Sequence, residues 1–180
     1  MEQTDEELLE QFRNGNKNHA FNLLVKKYQQ RLYWHIRKIV IDHDDANDVI
    51  QNSFIKVWNS LENFRSDSQL YTWLYRIATN ESINFLNQKK RRFFLPIAEV
   101  ENELSHQLGQ DRHFTGDYIQ LRLQQAILKL PRQQRIVFNM KYFDNMKYEE
   151  IAEVLEVSVG ALKASFHHAV KKIEKILEND

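Results

Sequence analysis

Apolar residues recur along this chain at three- and four-residue steps between short polar breaks, which is the spacing of amphipathic helices. Thr4 with Glu7 three residues on makes a capping box that opens a short helix ending near Gly15. A longer helix is predicted from about Asn18 to Val40, with Phe21, Leu24, Val25, Tyr28, Leu32, Ile36 and Ile39 along its apolar stripe. Asp42 to Asp45 is a polar break able to cap a third helix, Asp45 to about Leu61, whose buried face is Ala46, Val49, Ile50, Phe54, Val57 and Trp58. Asn63 to Gln69 has no apolar periodicity and reads as a loop. Leu70 to Arg92 reads as a fourth helix with Leu70, Trp73, Leu74, Ile77 and Ala78 on one side. Long amphipathic helices in succession predict a compact first domain.

Periodicity is lost from Phe93 to about Gly116, a stretch that holds Pro96 and two of the four glycines. The expectation is a linker with short helical pieces, marking a domain boundary. Beyond it, helices are predicted over Ile119–Leu130, from Pro131 to about Phe143–Asn145, over Tyr148–Leu155 and over Val159–Leu177. Pro131 suits a helix start, where its missing N–H costs nothing. The last two helices are joined by Glu156-Val157-Ser158, the plan of a helix-turn-helix whose second helix can enter the major groove of DNA. The fold class is therefore all-α: two small helical domains, residues 1–92 and 117–180, joined by an acidic linker, 93–116, the second a helix-turn-helix domain.

Composition sharpens this picture in three places. Four Gly and two Pro in 180 residues leave few turn formers, as helices with short connections require. Cys is absent, which excludes a disulfide framework and thiolate metal sites. No apolar run approaches the ~20 residues of a membrane span and the acidic start MEQTDEELLE lacks a signal-peptide core, so the expectation is a cytoplasmic protein. The formal net charge is +0, which argues against holding DNA by bulk electrostatics alone. The charge is unevenly placed: Glu99, Glu101, Glu103, Asp111 and Asp117 stand against a single Arg112 in the linker, leaving both flanks slightly basic. A DNA binder of this kind is expected to depend on a partner.

Two faces carry candidate chemistry. Arg76, Asn80, Asn84 and Gln88 step by four along the fourth helix, which ends in Lys89, Lys90, Arg91 and Arg92. Asn, Gln and Arg match the paired hydrogen-bond groups of base edges, and clustered cations match phosphates. The competing reading is a solvated stripe with a basic helix end that suits the macrodipole. In the last helix, Ser158 is the expected N-cap and Gly160 keeps the first turn slim. Lys163, Ala164, His167, His168, Lys171 and Lys172 alternate there with Leu162, Phe166, Ala169, Val170 and Ile173. A plain amphipathic hairpin in a bundle is the alternative, and the combined pattern favours DNA reading.

These stretches resemble a bacterial RNA polymerase sigma factor of the extracytoplasmic-function group of the sigma-70 family. The motif Asp45-Ala-Asn-Asp-Val-Ile-Gln-Asn-Ser-Phe-Ile-Lys-Val-Trp58 is similar to the segment that binds core polymerase. Phe64 to Arg92 is similar to the minus-ten loop and helix, and Leu130-Pro-Arg-Gln-Gln-Arg through Ile176 to the minus-thirty-five domain. The resemblance implies an alternative sigma factor that binds core polymerase and directs promoter-specific initiation, with no enzymatic activity, no cofactor, no metal and no small-molecule substrate. It implies docking of Asp45, Asp48, Gln51 and Asn52 on the clamp coiled coil of the largest subunit, with the polymerase flap as a further contact. Phe54 and Trp58 are expected to pack instead. It implies minus-ten contacts by Arg65, Ser66, Asp67, Ser68 and Gln69 in a loop that captures an unstacked base, and by Arg76, Asn80, Asn84, Gln88, Lys89, Lys90 and Arg91. Tyr71, Trp73 and Tyr75 offer faces for base stacking; for Trp73, core packing is the favoured competing role. Minus-thirty-five contacts fall to Ser158, Gly160, Lys163, Ala164, Ser165, His167, His168, Lys171 and Lys172. An anti-sigma factor is an expected partner.

Some positions depart from the family pattern. Asn47 and Asn52 stand where acids are usual, Glu156 where Gly is common in the turn, and Ser165 and His168 where Arg is frequent. The runner-up reading is a stand-alone helix-turn-helix regulator, which leaves residues 45–92 unexplained. An enzyme is a distant third: His43, Asp44 and Asp45 with His35 and Asp48 have the composition of a metal cluster but read better as a polar loop and helix cap.

Overall fold

The computed structural model describes residues 3–93, 97–111 and 117–179. Helix α1 (Asp5–Arg13) opens on the expected reciprocal cap. Thr4 Oγ1 accepts the Glu7 N–H at 3.2 Å, and Glu7 Oε2 accepts the Thr4 N–H at 2.8 Å. It buries Leu8, Leu9 and Phe12 beside α2 (Lys17–Val40). Helix α3 (His43–Ser60) begins at His43 rather than Asp45, because Asp42 is its cap. Asp42 Oδ1 accepts the N–H groups of Asp44 and Asp45, each at 2.9 Å. A 3-10 turn, Leu61–Asn63, leads through an open loop to α4 (Leu70–Phe93).

Helices α2, α3 and α4 pack on one another around Leu24, Leu32, Ile36, Val49, Val57, Leu74 and Ala78. Phe54 and Trp58 belong to this packing, as expected: Phe21 meets the Trp58 ring edge-on at 5.0 Å, and Trp58 meets Phe12 at 5.4 Å. Helix α4 is buried on more than its apolar side, because Thr72, Tyr75, Thr79 and Ser82 are also buried. Burying the hydroxyls of Thr79 and Ser82 leaves no donor unmet, since they donate to the carbonyls of Tyr75 and Ala78 at 2.7 and 2.8 Å.

The connection, expected as a linker with short helical pieces, carries a longer helix than that. Residues Ile97–Gln110 form one helix, α5, of 14 residues. Its Leu104 and Leu108 pack with Ile41 and Leu128, and Asp111 just beyond it pairs with the buried Arg37. Tertiary burial decides the helix here, which local periodicity did not reveal. Pro96, Arg112 and Gly116 lie outside the described residues, as do the side chains of Arg92, Glu99, Glu101 and Glu103.

The second domain contains α6 (Tyr118–Leu128), α7 (Arg132–Tyr142), α8 (Tyr148–Leu155) and α9 (Val159–Asn179). Its own core is Ala126, Ile127, Leu130, Phe138, Ala169 and Ile173. The Phe138 ring stacks on Tyr142 at 5.2 Å and on Phe166 at 5.7 Å. A larger apolar cluster runs without a break from the first domain into Ile136, Val137, Met140, Met146, Ile151, Val154 and Leu162 of the second. Among the described residues there are helices and turns but no strand.

Candidate nucleic-acid interface

The loop between α3 and α4 is anchored at its base and open at its tip. Phe64 is buried with its ring against Trp73 at 4.9 Å, while Arg65, Ser66, Asp67 and Gln69 are exposed and Ser68 is half-buried. Ser66 takes a left-handed backbone, φ +59°. Along α4, Asn80, Asn84 and Gln88 are exposed, as their four-residue step predicts. Asn80 and Asn84 line a groove of about 330 Å³ between α3 and α4, beside the Lys56–Glu81 ion pair. Arg91 is exposed and Lys90 half-buried. Lys89 is not free for phosphate, because its ammonium meets Asp45 at 3.1 Å. That bond also engages Asp45, one of the residues assigned to polymerase docking.

The aromatic residues of α4 divide. Trp73 is half-buried on Phe64, so core packing is its role here. Tyr75 is 1% exposed with its ring 4.7 Å from His35, and offers no face to a base. Tyr71 is half-buried; burial first, then the hydrogen bond and charge of Glu150, push its hydroxyl up to about 12.

On α3, Asp48, Gln51 and Asn52 are exposed, and Ile55, 58% exposed, lies beside them. Ile55 is seven residues on from Asp48 and so on the same helical side. The sequence reading missed it, although an apolar residue off the buried stripe was the available signal. An apolar groove of about 550 Å³ adjoins it, lined by Phe21, Val25, Ile50, Phe54, Ile55 and Trp58.

The helix-turn-helix forms as the spacing predicts. Glu156 ends α8 in the left-handed conformation, φ 56° and ψ 41°, the geometry that glycine commonly supplies. Ser158 Oγ accepts the Ala161 N–H at 3.3 Å and caps α9. Gly160 has nothing within 4 Å of where a Cβ would stand. Lys163, Ala164, His167, His168, Lys171 and Lys172 are exposed and Ser165 half-buried, whereas Leu162, Ala169 and Ile173 are buried. The His167 and His168 rings sit 6.0 Å apart at 57°, as neighbours on a helix must. The Lys163 ammonium lies 5.8 Å from the Tyr148 ring.

Comparison with known proteins agrees with this layout. Residues 24–92 match the family model Sigma-70 region 2, and residues 120–173 match Sigma-70, region 4. The RNA polymerase sigma-H factor of Pseudomonas aeruginosa is 35% identical, over 98% of this chain and 95% of its own. The chain belongs to the sigma-70 family, in its extracytoplasmic-function group. The ECF RNA polymerase sigma-E factor of Haemophilus influenzae is 31% identical over 97% of this chain and 96% of its own. Among solved structures, CnrH in complex with the cytosolic domain of CnrY superposes with a TM-score of 0.72 at 26% identity, over 98% of each chain. RpoE of Bartonella quintana, solved with the anti-sigma factor NepR, shares the fold at a TM-score of 0.68 and 18% identity, over 89% of this chain and 98% of that one. The protein is an alternative RNA polymerase sigma factor that directs transcription initiation. The region 2 match accounts for residues 45–92, which a stand-alone regulator leaves unexplained.

In this sigma factor the two matched regions lie against each other. Helix α8 packs on α4, and α7 on α2. Arg76 is drawn into the contact: its Nε donates to the Glu153 carbonyl at 3.0 Å, and its guanidinium lies 3.6 Å from the Glu156 carboxylate. Arg132 Nη1 donates to Asn87 Oδ1 at 2.9 Å. At the centre, Asp144 accepts from His35 Nδ1 at 2.9 Å and from Lys38 Nζ at 2.8 Å. Burial alone would raise the Asp144 pKa, but the hydrogen bond and charge of His35, then those of Lys38, outweigh it and hold the carboxyl below the usual range. His35 is therefore an interdomain residue, not a ligand candidate with His43, whose Nδ1 meets the Tyr33 hydroxyl at 2.6 Å. Sequence reasoning had no signal for a partner so far along the chain.

Proposed function

We propose that the first domain docks core polymerase through Asp48, Gln51, Asn52 and Ile55 on α3, with Asp45 at the edge of that face. The partner surface is the clamp coiled coil of the largest subunit, and the flap contacts the second domain. An exposed polar row with one apolar anchor beside an apolar groove suits a helical partner with basic and apolar side chains. The loop Arg65–Gln69 and the exposed Asn80, Asn84 and Gln88 read the minus-ten element, with Arg91 and Lys90 on its phosphates. Arg76 joins them only once its contact with the second domain is released. The outward face of α9 reads the minus-thirty-five element. Residues 1–92 and 117–180 act as the two reading units and residues 93–116 as the connection.

The observation that carries this reading is the split between faces. Base-matching and cationic residues lie exposed on α4 and α9, while the residues alternating with them fill the cores. The protein does no chemistry of its own and works in the cytoplasm, where its polymerase and DNA are. An anti-sigma factor is a further partner, a reading supported by the similar CnrH, solved with the cytosolic domain of CnrY. Run-off transcription with cognate core enzyme over a genomic template library tests the whole. Promoter-dependent transcripts are expected only when chain and core are both present. Tight specific DNA binding by the free chain in a gel shift would overturn the dependence on polymerase.

A further inference from the structure

Helix α1 lies outside both segments matched by the family models, yet it is built into the first domain through Leu8, Leu9 and Phe12. Its last residue, Arg13, would ordinarily serve the carbonyls at its own helix end. Instead its guanidinium crosses to a residue 51 positions away, and Nη2 donates to the Phe64 carbonyl at 2.6 Å. Phe64 is the last fixed residue before the open loop. Its ring rests on Trp73, its N–H donates to the Leu61 carbonyl at 3.2 Å, and its carbonyl is held by Arg13. On the far side, the Gln69 carbonyl accepts the Trp73 N–H at 3.2 Å. The exposed residues between these anchors include Ser66, whose left-handed backbone the surroundings must hold in place. A charged donor on a backbone carbonyl is stronger than a neutral one and has one preferred direction. It therefore fixes the direction in which the chain leaves Phe64.

We propose that Arg13 is a positioning residue for promoter reading, setting the path of Arg65–Gln69 through the Phe64 carbonyl. Helix α1 thereby contributes to base preference in the minus-ten element without touching DNA. The inference rests on the assignment of that loop to minus-ten capture. Its physical basis is that recognition groups have to be held within about 0.5 Å of their productive geometry by the residues that support them.

The test uses the full chain with core polymerase, transcribing a library randomised across both promoter elements, with transcripts sequenced to give preference at each position. Arg13→Met keeps the aliphatic stem and removes the donors. It is expected to lower preference at one or two minus-ten positions by about tenfold, the scale of one charged hydrogen bond. Minus-thirty-five preference and core affinity should stay as in the parent, and thermal unfolding should drop only by the few degrees that one lost charged hydrogen bond is worth. Arg13→Lys, which keeps a charged donor, should restore most of the preference and serves as the probe if Arg13→Met fails to fold. Gln69→Ala and Asp67→Ala are the loop controls. A flattened position in those controls with an unchanged profile in both Arg13 variants overturns the role of Arg13 and leaves the loop assignment standing. Unchanged profiles in the controls as well overturn both. A uniform loss across all positions shows a general stabilising role and overturns the proposal.

Discussion

His35 and Asp144 stand 109 positions apart, and their side chains meet at 2.9 Å inside the contact between the two domains. The other ring nitrogen, Nε2, lies 2.8 Å from Thr79 Oγ1, whose own proton goes to the Tyr75 carbonyl at 2.7 Å. The His35 ring thus bridges Asp144 of the second domain and Thr79 of the first. The carboxylate is shared with Lys38, and Arg31 and Tyr75 complete the surroundings.

This cluster predicts an acid-sensitive domain contact. The Asp144 pKa is lowered in the closed fold, so its contribution is fully present above the ordinary value of 3.8 and is lost as pH falls through the depressed one. Asp144→Asn should weaken the contact at neutral pH by about 3 kcal/mol, since it removes one partner from a buried ionic cluster. Because the chain has no Cys, Asn22→Cys and Glu174→Cys can carry a fluorophore pair. Energy transfer should fall on acidification below about pH 4, and in Asp144→Asn it should be low already at pH 7. Equal transfer in parent and variant would refute the clasp.

Glu156 predicts a stabilising substitution. A non-glycine residue at φ 56° costs roughly 1 kcal/mol that glycine does not, and its exposed partner contact with Arg76 at 3.6 Å contributes little in return. Glu156→Gly should raise the denaturation midpoint of the chain by an amount worth about 1 kcal/mol. A lowered midpoint would mean that the contact with Arg76 outweighs the backbone term.

Docking on polymerase should depend on the outer side of α3. Asp48→Arg combined with Gln51→Ala is expected to weaken core binding while changing fold stability by less than ~0.5 kcal/mol, because both residues are exposed. Ile55→Asp should do the same by removing an apolar anchor. Unchanged affinity in a titration with core enzyme counts against this face.

On α9 the two ends of the exposed row should behave differently. Lys163→Ala should cost ~1–3 kcal/mol and relax preference at a single base pair, whereas Lys171→Ala should weaken all promoters alike and reduce the salt slope by about one. If Lys163→Ala weakens every promoter equally, Lys163 contacts phosphate and the reading face is rotated.

Legibility in the sequence followed the kind of physics involved. Local chemistry was readable: the Thr4 box, the limits Tyr148–Leu155 and the exposed step Asn80, Asn84, Gln88 all stand as their spacing predicts. What depended on distant burial was not. Helix α5 is held by Leu104 and Leu108 against Ile41 and Leu128, contacts that no window of the sequence contains. The second buried side of α4 includes Thr72, Thr79 and Ser82, which read as polar; the hydroxyls of Thr79 and Ser82 turn back on their own helix. Lys89 read as a phosphate contact because its partner, Asp45, is 44 residues away.

The packing of α8 on α4 has a consequence in base pairs. By their names, the minus-ten and minus-thirty-five elements lie about 25 base pairs apart, roughly 85 Å of duplex at ~3.4 Å per step. The longest helices here have 24 residues, about 36 Å each, and the two domains touch. With the elements read as proposed, only a separated pair spans both. The contact has to open first, and apparent promoter affinity is lowered by the fraction of molecules in which the domains are apart. Any partner that holds the domains apart then raises that affinity without touching a base.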